Sequence, residues 1–129
     1  MKPVEIGQRL SFRIETQYRD TAEAFGNANV RVVGTPALVG FLETAADRCL
    51  MPCYEAKEGS VGTSIELAHL AAAPEGSVVD ASAEVIGVDG RRVRFAVEAR
   101  RGEVVLIKGY HERAVVDLER FLAKVAAQQ

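Results

Sequence analysis

Two side chains of the sequence are candidates for chemistry because their types do not suit their surroundings. Glu43 follows Phe41 and Leu42 in an apolar stretch, and a carboxylate held there without a partner would cost several kcal/mol. His69 follows Ile65 and Leu67 at alternating positions of a strand-like run. A carboxylate and an imidazole that meet in one dry cleft can activate water or generate a nucleophile. This pair is therefore the first candidate for a reactive site.

Each of the two residues also has an ordinary structural interpretation. Glu43 can lie on a solvated stripe of a helix beside Asp47, which follows four residues later. His69 can be a hydrogen-bonded structural histidine. The two residues form a site only if the helix that carries Glu43 packs against the strand that carries His69.

Thr35 is a third candidate, and it stands at a predicted helix start. A threonine can cap free N–H groups, and Pro36 suits the first helical position. Glu43 lies eight residues further on, which corresponds to roughly 12 Å along a helix. One substrate carbonyl cannot contact both side chains at that distance. Either Thr35 lies in a loop that bends back, or the site combines groups from two subunits, which predicts a dimer.

The elements that must position these residues follow from periodicity. Alternation predicts a strand around residues 10–14, and the irregular stretch 18–34 predicts a surface loop or lid. Residues 37–51 suit a helix that is apolar on all sides in its first half and therefore enclosed by protein. Four strand-like runs follow, and the last of them, 104–116, is apolar enough to be buried on both faces. A short amphipathic helix is then predicted to pack onto the rest through Leu118, Phe121, Leu122 and Val125.

One enclosed helix beside one antiparallel sheet predicts an α+β fold in which the sheet wraps around a central helix, the hotdog fold. A chain of 129 residues suits a single domain spanning 1–129. The net charge of −2 gives no general reason to bind nucleic acid or an anionic membrane. The chain also lacks an apolar run of about 18 residues and a recognisable secretory signal, so a cytoplasmic location is expected.

Other motifs point to ordinary roles. Cys49 and Cys53 match neither a zinc nor a redox spacing and are expected to be reduced structural thiols. Two distant histidines give no metal-ligand cluster, so no metal is expected. The segment 59–63 lacks the lysine of a phosphate-binding loop and is predicted to be a turn. Five arginines around one hairpin suit a solvated strand face, with contacts to coenzyme A phosphates as the alternative; they are Arg91, Arg92, Arg94, Arg100 and Arg101.

Several motifs occur in a specific order along the chain. They are Thr35 followed by Gly40 and Glu43, then Gly59-Ser60-Val61-Gly62-Thr63, then His69, and finally His111-Glu112-Arg113-Ala114-Val115. Each motif is weak alone, but the combined spacing resembles the fluoroacetyl-CoA thioesterase family over nearly the whole chain.

The resemblance implies a hotdog homodimer that hydrolyses an acyl-CoA at sites on the subunit interface, without metal or bound cofactor. A dimer of dimers is also compatible with it. By matching position, Glu43 is implied to be the nucleophile or carboxylate base, His69 the group that activates water, and Thr35 the orienting hydroxyl. Gly62 is implied to contact the acyl thioester, and Arg113 to support the site.

One position departs from the family pattern. The fluoroacetate-specific members have an aromatic-rich lid with phenylalanine where this chain has Asn29, although Phe25 lies nearby. Asn29 is taken as a substrate-binding position, and an asparagine there does not suit a small fluorinated acyl group. The sequence therefore predicts hydrolysis of a short-chain acyl-CoA without a preference for fluorine. A protein that binds acyl-CoA without turnover is the main alternative, and a hydratase on the same fold ranks last.

Overall fold

The computed structural model describes residues 1–128 and has the predicted α+β composition. The elements, in chain order, are β1 (Arg9–Glu15), α1 (Thr35–Leu50), β2 (Glu58–His69), β3 (Val78–Asp89), β4 (Arg92–Arg101), β5 (Val104–Asp117) and α2 (Leu118–Ala127). Two short 3-10 turns lie at Tyr18–Asp20 and Met51–Cys53. None of the helices formed by residues 1–128 is long and apolar enough to cross a membrane.

The five strands form one antiparallel sheet in the order β1-β3-β4-β5-β2, which leaves β2 at an edge. The sheet wraps around α1, and the helix contacts all five strands. Leu38, Leu42 and Leu50 of α1 are fully buried against it. The opposing sheet residues are equally buried and include Val79, Ala83, Val85, Val93 and Phe95. The predicted central helix within an antiparallel sheet is therefore confirmed.

The start of α1 differs from the prediction in one respect that matters for function. Gly34 is the N-cap residue, and Thr35 and Pro36 are the first two helical residues. Thr35 therefore does not cap the helix, and its hydroxyl is hydrogen-bonded to His69 instead. The proline still has the role expected of it, because its missing N–H is one that a first helical turn leaves unpaired. The helix ends at Leu50, before the Met51–Cys53 turn that contains Pro52.

The sequence predicted a turn at residues 59–63, and this prediction is wrong: the segment forms the first half of β2. The register of β2 against β5 shifts between Gly62 and Ser64. Gly62 lies opposite Arg113 before the shift, and Ile65 lies opposite His111 after it. Because directly opposite residues share a face of the sheet, the bulge at Thr63 changes which residues face inward. Because of this bulge, the odd-numbered residues in the second half of the strand, up to His69, face α1.

Two predictions about the C-terminal part are wrong in part. β5 is not buried on both faces, because Lys108 and Tyr110 are exposed on the outer side of the sheet. In α2, Leu118 packs against Gly59, but Leu122 and Val125 are 61% and 46% exposed. The apolar stripe of α2 is thus mostly uncovered, and the main contacts of the helix are with β2 and β5.

The irregular segment before α1 is a loop, as predicted, and it is held by backbone hydrogen bonds. Thr21 and Val33 form an isolated β-bridge, so the ends of the loop lie side by side. The amide of Glu23 donates to the carbonyl of Val30 at 2.8 Å and ties the loop further out. The tip between them carries Phe25, which is 56% exposed.

Candidate functional site

Thr35 and His69 form the first half of the candidate site. Thr35 begins α1 and His69 ends β2, and the wrap of the sheet brings their side chains together. Thr35 Oγ1 and His69 Nδ1 are hydrogen-bonded at 2.7 Å. Both residues are exposed in the isolated subunit, so a ligand or a second subunit can reach them. A hydroxyl joined to an imidazole beside a helix N-terminus can polarise and orient a carbonyl group.

Glu43 belongs to a second cluster, around the bulge of β2. Its Oε2 atom lies 3.7 Å from Nη1 of Arg113. The Arg113 side chain is only 9% exposed, whereas that of Glu43 is 45% exposed. Glu43 therefore lies at a polar opening beside a buried cation. This resolves the choice left open by the sequence: the polar stripe that Glu43 shares with Asp47 faces the sheet.

Gly62 is the position where β2 passes closest to this carboxylate. A Cβ atom at Gly62 would lie 2.9 Å from Oε2 of Glu43 and 3.1 Å from Cε1 of His111. Only glycine leaves room for both side chains. A cavity of about 240 Å³ opens here and is lined by Glu43, Gly62, Thr63, Ser64, Ile65 and His111. Larger open grooves, of about 520 and 770 Å³, lie on the outer face of the sheet and beside α2, away from the candidate reacting groups.

The two clusters are separate within one subunit. Thr35 and Glu43 are eight residues apart on one helix, or roughly 12 Å along its axis. Gly62, beside Glu43, and His69 are seven residues apart on β2, or roughly 20 Å along the strand. The expected meeting of Glu43 and His69 therefore does not occur within a single chain. Of the predicted set, the structure brings together Thr35 with His69, and Glu43 with Gly62 and Arg113.

Asn29 lies in the loop before α1, apart from both clusters. Its backbone has a φ of 67°, in the left-handed region that asparagine tolerates better than most residues. Its amide donates to Oε2 of Glu23 at 3.1 Å. These contacts give Asn29 a role in the shape of the loop, and its contact with substrate stays a prediction.

Four residues of the Glu43 cluster were not predicted as site residues: His111, Ser60, Tyr54 and Asp47. His111 is buried, and its Nδ1 atom is 2.8 Å from the carbonyl oxygen of Ser64. Burial lowers the pKa of His111, and the charge of Arg113 lowers it further, against the opposing effects of the Ser64 carbonyl and Glu43. The signal was available in part, because His111 and Arg113 are two apart on one strand and must share a face.

The remaining candidates have structural roles in the subunit. Cys49 and Cys53 are free and buried. Among the arginines of the hairpin, Arg91 pairs with Glu58, Arg92 with Glu112, and Arg100 with Glu98, and the arginine side chain of each pair is exposed. Across the described part of the chain, no three His, Cys, Asp or Glu side chains are grouped so that they could hold a metal ion.

Comparison with known proteins identifies the family. A sequence model of the fluoroacetyl-CoA-specific thioesterase family, FlK, matches residues 16–119. The fluoroacetyl-CoA thioesterase of Streptantibioticus cattleyicolor is 45% identical over 94 residues, covering 73% of this chain and 68% of that protein.

Solved structures agree with this match. A structure of the fluoroacetyl-CoA thioesterase FlK superposes with a TM-score of 0.91 at 34% identity and covers 99% of both chains. A hot-dog-like protein from Thermanaerovibrio acidaminovorans, at 24% identity, has a TM-score of 0.87 over 95% of this chain and 91% of that one, and supports the fold alone. The chain therefore belongs to the fluoroacetyl-CoA-specific thioesterase family, a family of thioester hydrolases.

Proposed function

We propose that this chain hydrolyses a short-chain acyl-CoA to the free acid and coenzyme A, at a site built from two subunits. The observation that carries the proposal is the pair of half-sites, in which Thr35 is hydrogen-bonded to His69 at 2.7 Å and Glu43 faces Arg113 at 3.7 Å. Neither half is sufficient for the reaction expected of a thioester hydrolase. A second copy of the chain supplies the missing half.

The free edge of β2 is the proposed dimer contact. An edge strand offers unpaired N–H and C=O groups, and two copies can pair antiparallel about a two-fold axis. Residues 62–66 of this edge are all exposed in the subunit. An axis at Glu66, with Thr63 as the extra residue of the bulge, places Gly62 of one subunit opposite the partner's His69. Such a dimer has two composite sites, one on each side of the axis, and a dimer of dimers adds no further residue to them.

His69 is proposed to activate water. When His69 Nδ1 donates its hydrogen to Thr35 Oγ1, the Nε2 atom is left as an acceptor for a proton from water. Thr35 then keeps its own hydrogen to donate to the thioester carbonyl oxygen. The start of α1 adds a positive dipole end where negative charge develops on that oxygen. The thiolate of coenzyme A leaves as the tetrahedral intermediate collapses and takes its proton from the imidazolium.

Glu43 acts on the same carbonyl from the other subunit, as the base for water or as a nucleophile. In the second case its carboxylate attacks the carbonyl carbon, the C–S bond breaks and coenzyme A leaves as the thiolate, and water then hydrolyses the resulting mixed anhydride. Mass spectrometry of the His69→Ala variant incubated with substrate distinguishes these roles. An acyl group on Glu43 identifies the nucleophile, and an unmodified Glu43 during slow release of coenzyme A identifies the base.

The acyl group is proposed to be short because the cavity beside Glu43 is only about 240 Å³. Asn29, as a substrate-binding residue of the loop, replaces an apolar lid contact with a polar one, so fluorine is not required for binding. The chain acts as a single domain without cofactor in this proposal. The two free, buried cysteines also support a cytoplasmic location, since thiols stay reduced there.

A panel of acyl-CoAs with a thiol reagent tests the activity. Acetyl-, propionyl-, butyryl-, fluoroacetyl- and hexanoyl-CoA are suitable probes, and release of free coenzyme A is the readout. We expect turnover of the short members, and loss of turnover in Glu43→Gln and His69→Ala. Glu84→Gln, on the exposed outer face of β3, is the matched control and keeps full activity. Absence of coenzyme A release from every probe, or full activity of the two site variants, would overturn the assignment.

A further inference from the structure

A chain of partly buried hydrogen bonds runs behind Glu43 and ends on Arg113. It begins at Asp47, one helical turn after Glu43 on α1. The hydroxyl of Tyr54 donates to Oδ1 of Asp47 at 2.7 Å and is also hydrogen-bonded to the Ser60 hydroxyl. Burial raises the pKa of Tyr54, so the phenol remains a donor at every physiological pH. Asp47 and Tyr54 together hold the Ser60 hydroxyl in one position.

Ser60 in turn contacts two nitrogen atoms of the Arg113 guanidinium. Nε of Arg113 donates to the Ser60 hydroxyl at 2.7 Å, and Nη2 donates to the Ser60 carbonyl oxygen at 3.0 Å. A guanidinium is planar and rigid, so fixing two of its nitrogens fixes the direction of the third. That third nitrogen, Nη1, is the one that faces Glu43.

His111 completes the enclosure of Arg113. Because the Ser64 carbonyl can only accept, the Nδ1 atom of His111 must be the donor in their 2.8 Å contact. In the neutral ring, Nε2 is then an acceptor, and it accepts a hydrogen bond from Nη1 of Arg113 at 3.2 Å. The neutral ring therefore fixes one hydrogen of Nη1 and leaves the other for Glu43.

We propose that Ser60 is a positioning residue that acts on the reaction through Arg113, with Tyr54 and Asp47 holding its hydroxyl in place. The proposal rests on the proposed function, because it concerns how Glu43 is presented to the thioester. Arg113 would otherwise be free to rotate about its long side chain. The pairing of Nη1 with Glu43 is the longest of its contacts and therefore the one most easily lost.

A double-mutant cycle tests whether Ser60 works through Arg113. Ser60→Ala is expected to lower kcat about tenfold with KM unchanged, and Ser60→Thr to restore most of the loss by returning a hydroxyl. Tyr54→Phe is expected to give a smaller decrease of about threefold. In an Arg113→Ala background, Ser60→Ala is expected to cost nothing further. Independent, multiplicative losses in the double variant would overturn the proposal.

A spectroscopic readout separates this proposal from the proposed function. The ¹⁵N resonance of His111 Nε2 reports the hydrogen bond from Arg113 in the unliganded protein, without any turnover. We expect Ser60→Ala to shift this resonance. Ser82→Ala is the control. It removes a strand hydroxyl that donates to the backbone carbonyl of Glu98, and it is expected to leave the His111 resonance unchanged. If the wild type hydrolyses no acyl-CoA, the proposed function fails while this shift still decides whether Ser60 positions Arg113. An unshifted resonance in Ser60→Ala would overturn the positioning role.

Discussion

The hydroxyl of Thr35 lies 2.7 Å from Nδ1 of His69, and it connects the first residue of α1 to the last residue of β2. The sequence offered Thr35 an ordinary role as a helix cap, but Gly34 occupies that position. The threonine hydroxyl is therefore available to hold the imidazole and to contact substrate. Stability and activity should respond differently to its removal.

Thr35→Val, which replaces the hydroxyl with a methyl group of similar size, is expected to lower kcat/KM about 10²-fold, because His69 loses its hydrogen-bond partner and the thioester loses a proposed donor. Thr35→Ser is expected to stay within a few-fold of the wild type. The thermal midpoint should hardly change in either variant, since the hydroxyl does not cap the helix. Steady-state kinetics and thermal unfolding check both outcomes. A large loss of stability with unchanged kcat/KM would show that the hydroxyl is structural.

Gly62→Ala is expected to lower activity about 10²-fold through misplacement of Glu43. The added Cβ would lie 2.9 Å from Oε2 of Glu43, so the carboxylate must move. Gly87→Ala is the matched control, because Gly87 also lies beside a bulge but its Cβ would meet Arg94 at an ordinary 3.6 Å. Equal activities of the two variants would refute the close approach of Gly62 to Glu43.

His111 should make stability depend on pH below about 6.5, the ordinary pKa of a histidine. Burial lowers its pKa below the ordinary value of 6.5, and Arg113 lowers it further. The unfolded chain then takes up a proton at a higher pH than the folded protein does. The contribution of neutral His111 is complete above pH 6.5 and is lost as the pH falls from there through the folded-state pKa. Glu58 contributes to stability in a lower pH range. Its pKa in the folded protein is about 2, so its contribution is lost as the pH falls from 4.5 to about 2.

Chemical denaturation at a series of pH values measures this dependence. We expect the free energy of unfolding of the wild type to decrease as the pH falls through this range, and the decrease to be smaller in His111→Gln. Ser82→Ala, which removes no titratable group, is the control and should keep the wild-type slope. The same slope in His111→Gln would contradict the assignment.

Leu42 and Leu122 test the placement of the two helices. Leu42 is fully buried in the core, so Leu42→Ala should cost about 2–5 kcal/mol of unfolding free energy. Leu122 is 61% exposed on α2, and Leu122→Ala should change the unfolding free energy by less than about 0.5 kcal/mol. Denaturant unfolding of both variants provides the comparison. A comparable loss at Leu122 would mean that the stripe of α2 is covered in the assembled protein.

The enclosed helix and the antiparallel sheet were predictable because their patterns are local. The first half of α1 is apolar on all sides, and apolar and polar residues alternate along β4. The pattern of each element therefore predicts which of its faces are buried. The two hairpin connections, Gly90-Arg91 and Gly102-Glu103, also have a local cause, because each begins with a glycine of positive φ.

The site was predictable only as a set of residue types. The bulge at Thr63 depends on the pairing of β2 with β5 and leaves no local signature. The contact of Tyr54 with Asp47 and Ser60 joins three separate elements, so neither spacing nor composition reveals it. Thr35 has the residue type and position expected of a helix cap, but its side chain is hydrogen-bonded to His69, which is 34 residues away in sequence. Long-range pairing decided each of these features.

The division of the site between two subunits is tested most directly by complementation. Thr35→Ala and Glu43→Gln, each inactive alone, are combined by co-expression with two different tags, and the mixed dimer is purified. A composite site predicts that each mixed dimer contains one intact site and has about half of the wild-type activity, or about one quarter in an unsorted equal mixture. If mixed dimers are as inactive as either parent, the reacting groups of one site come from one chain and the account is wrong.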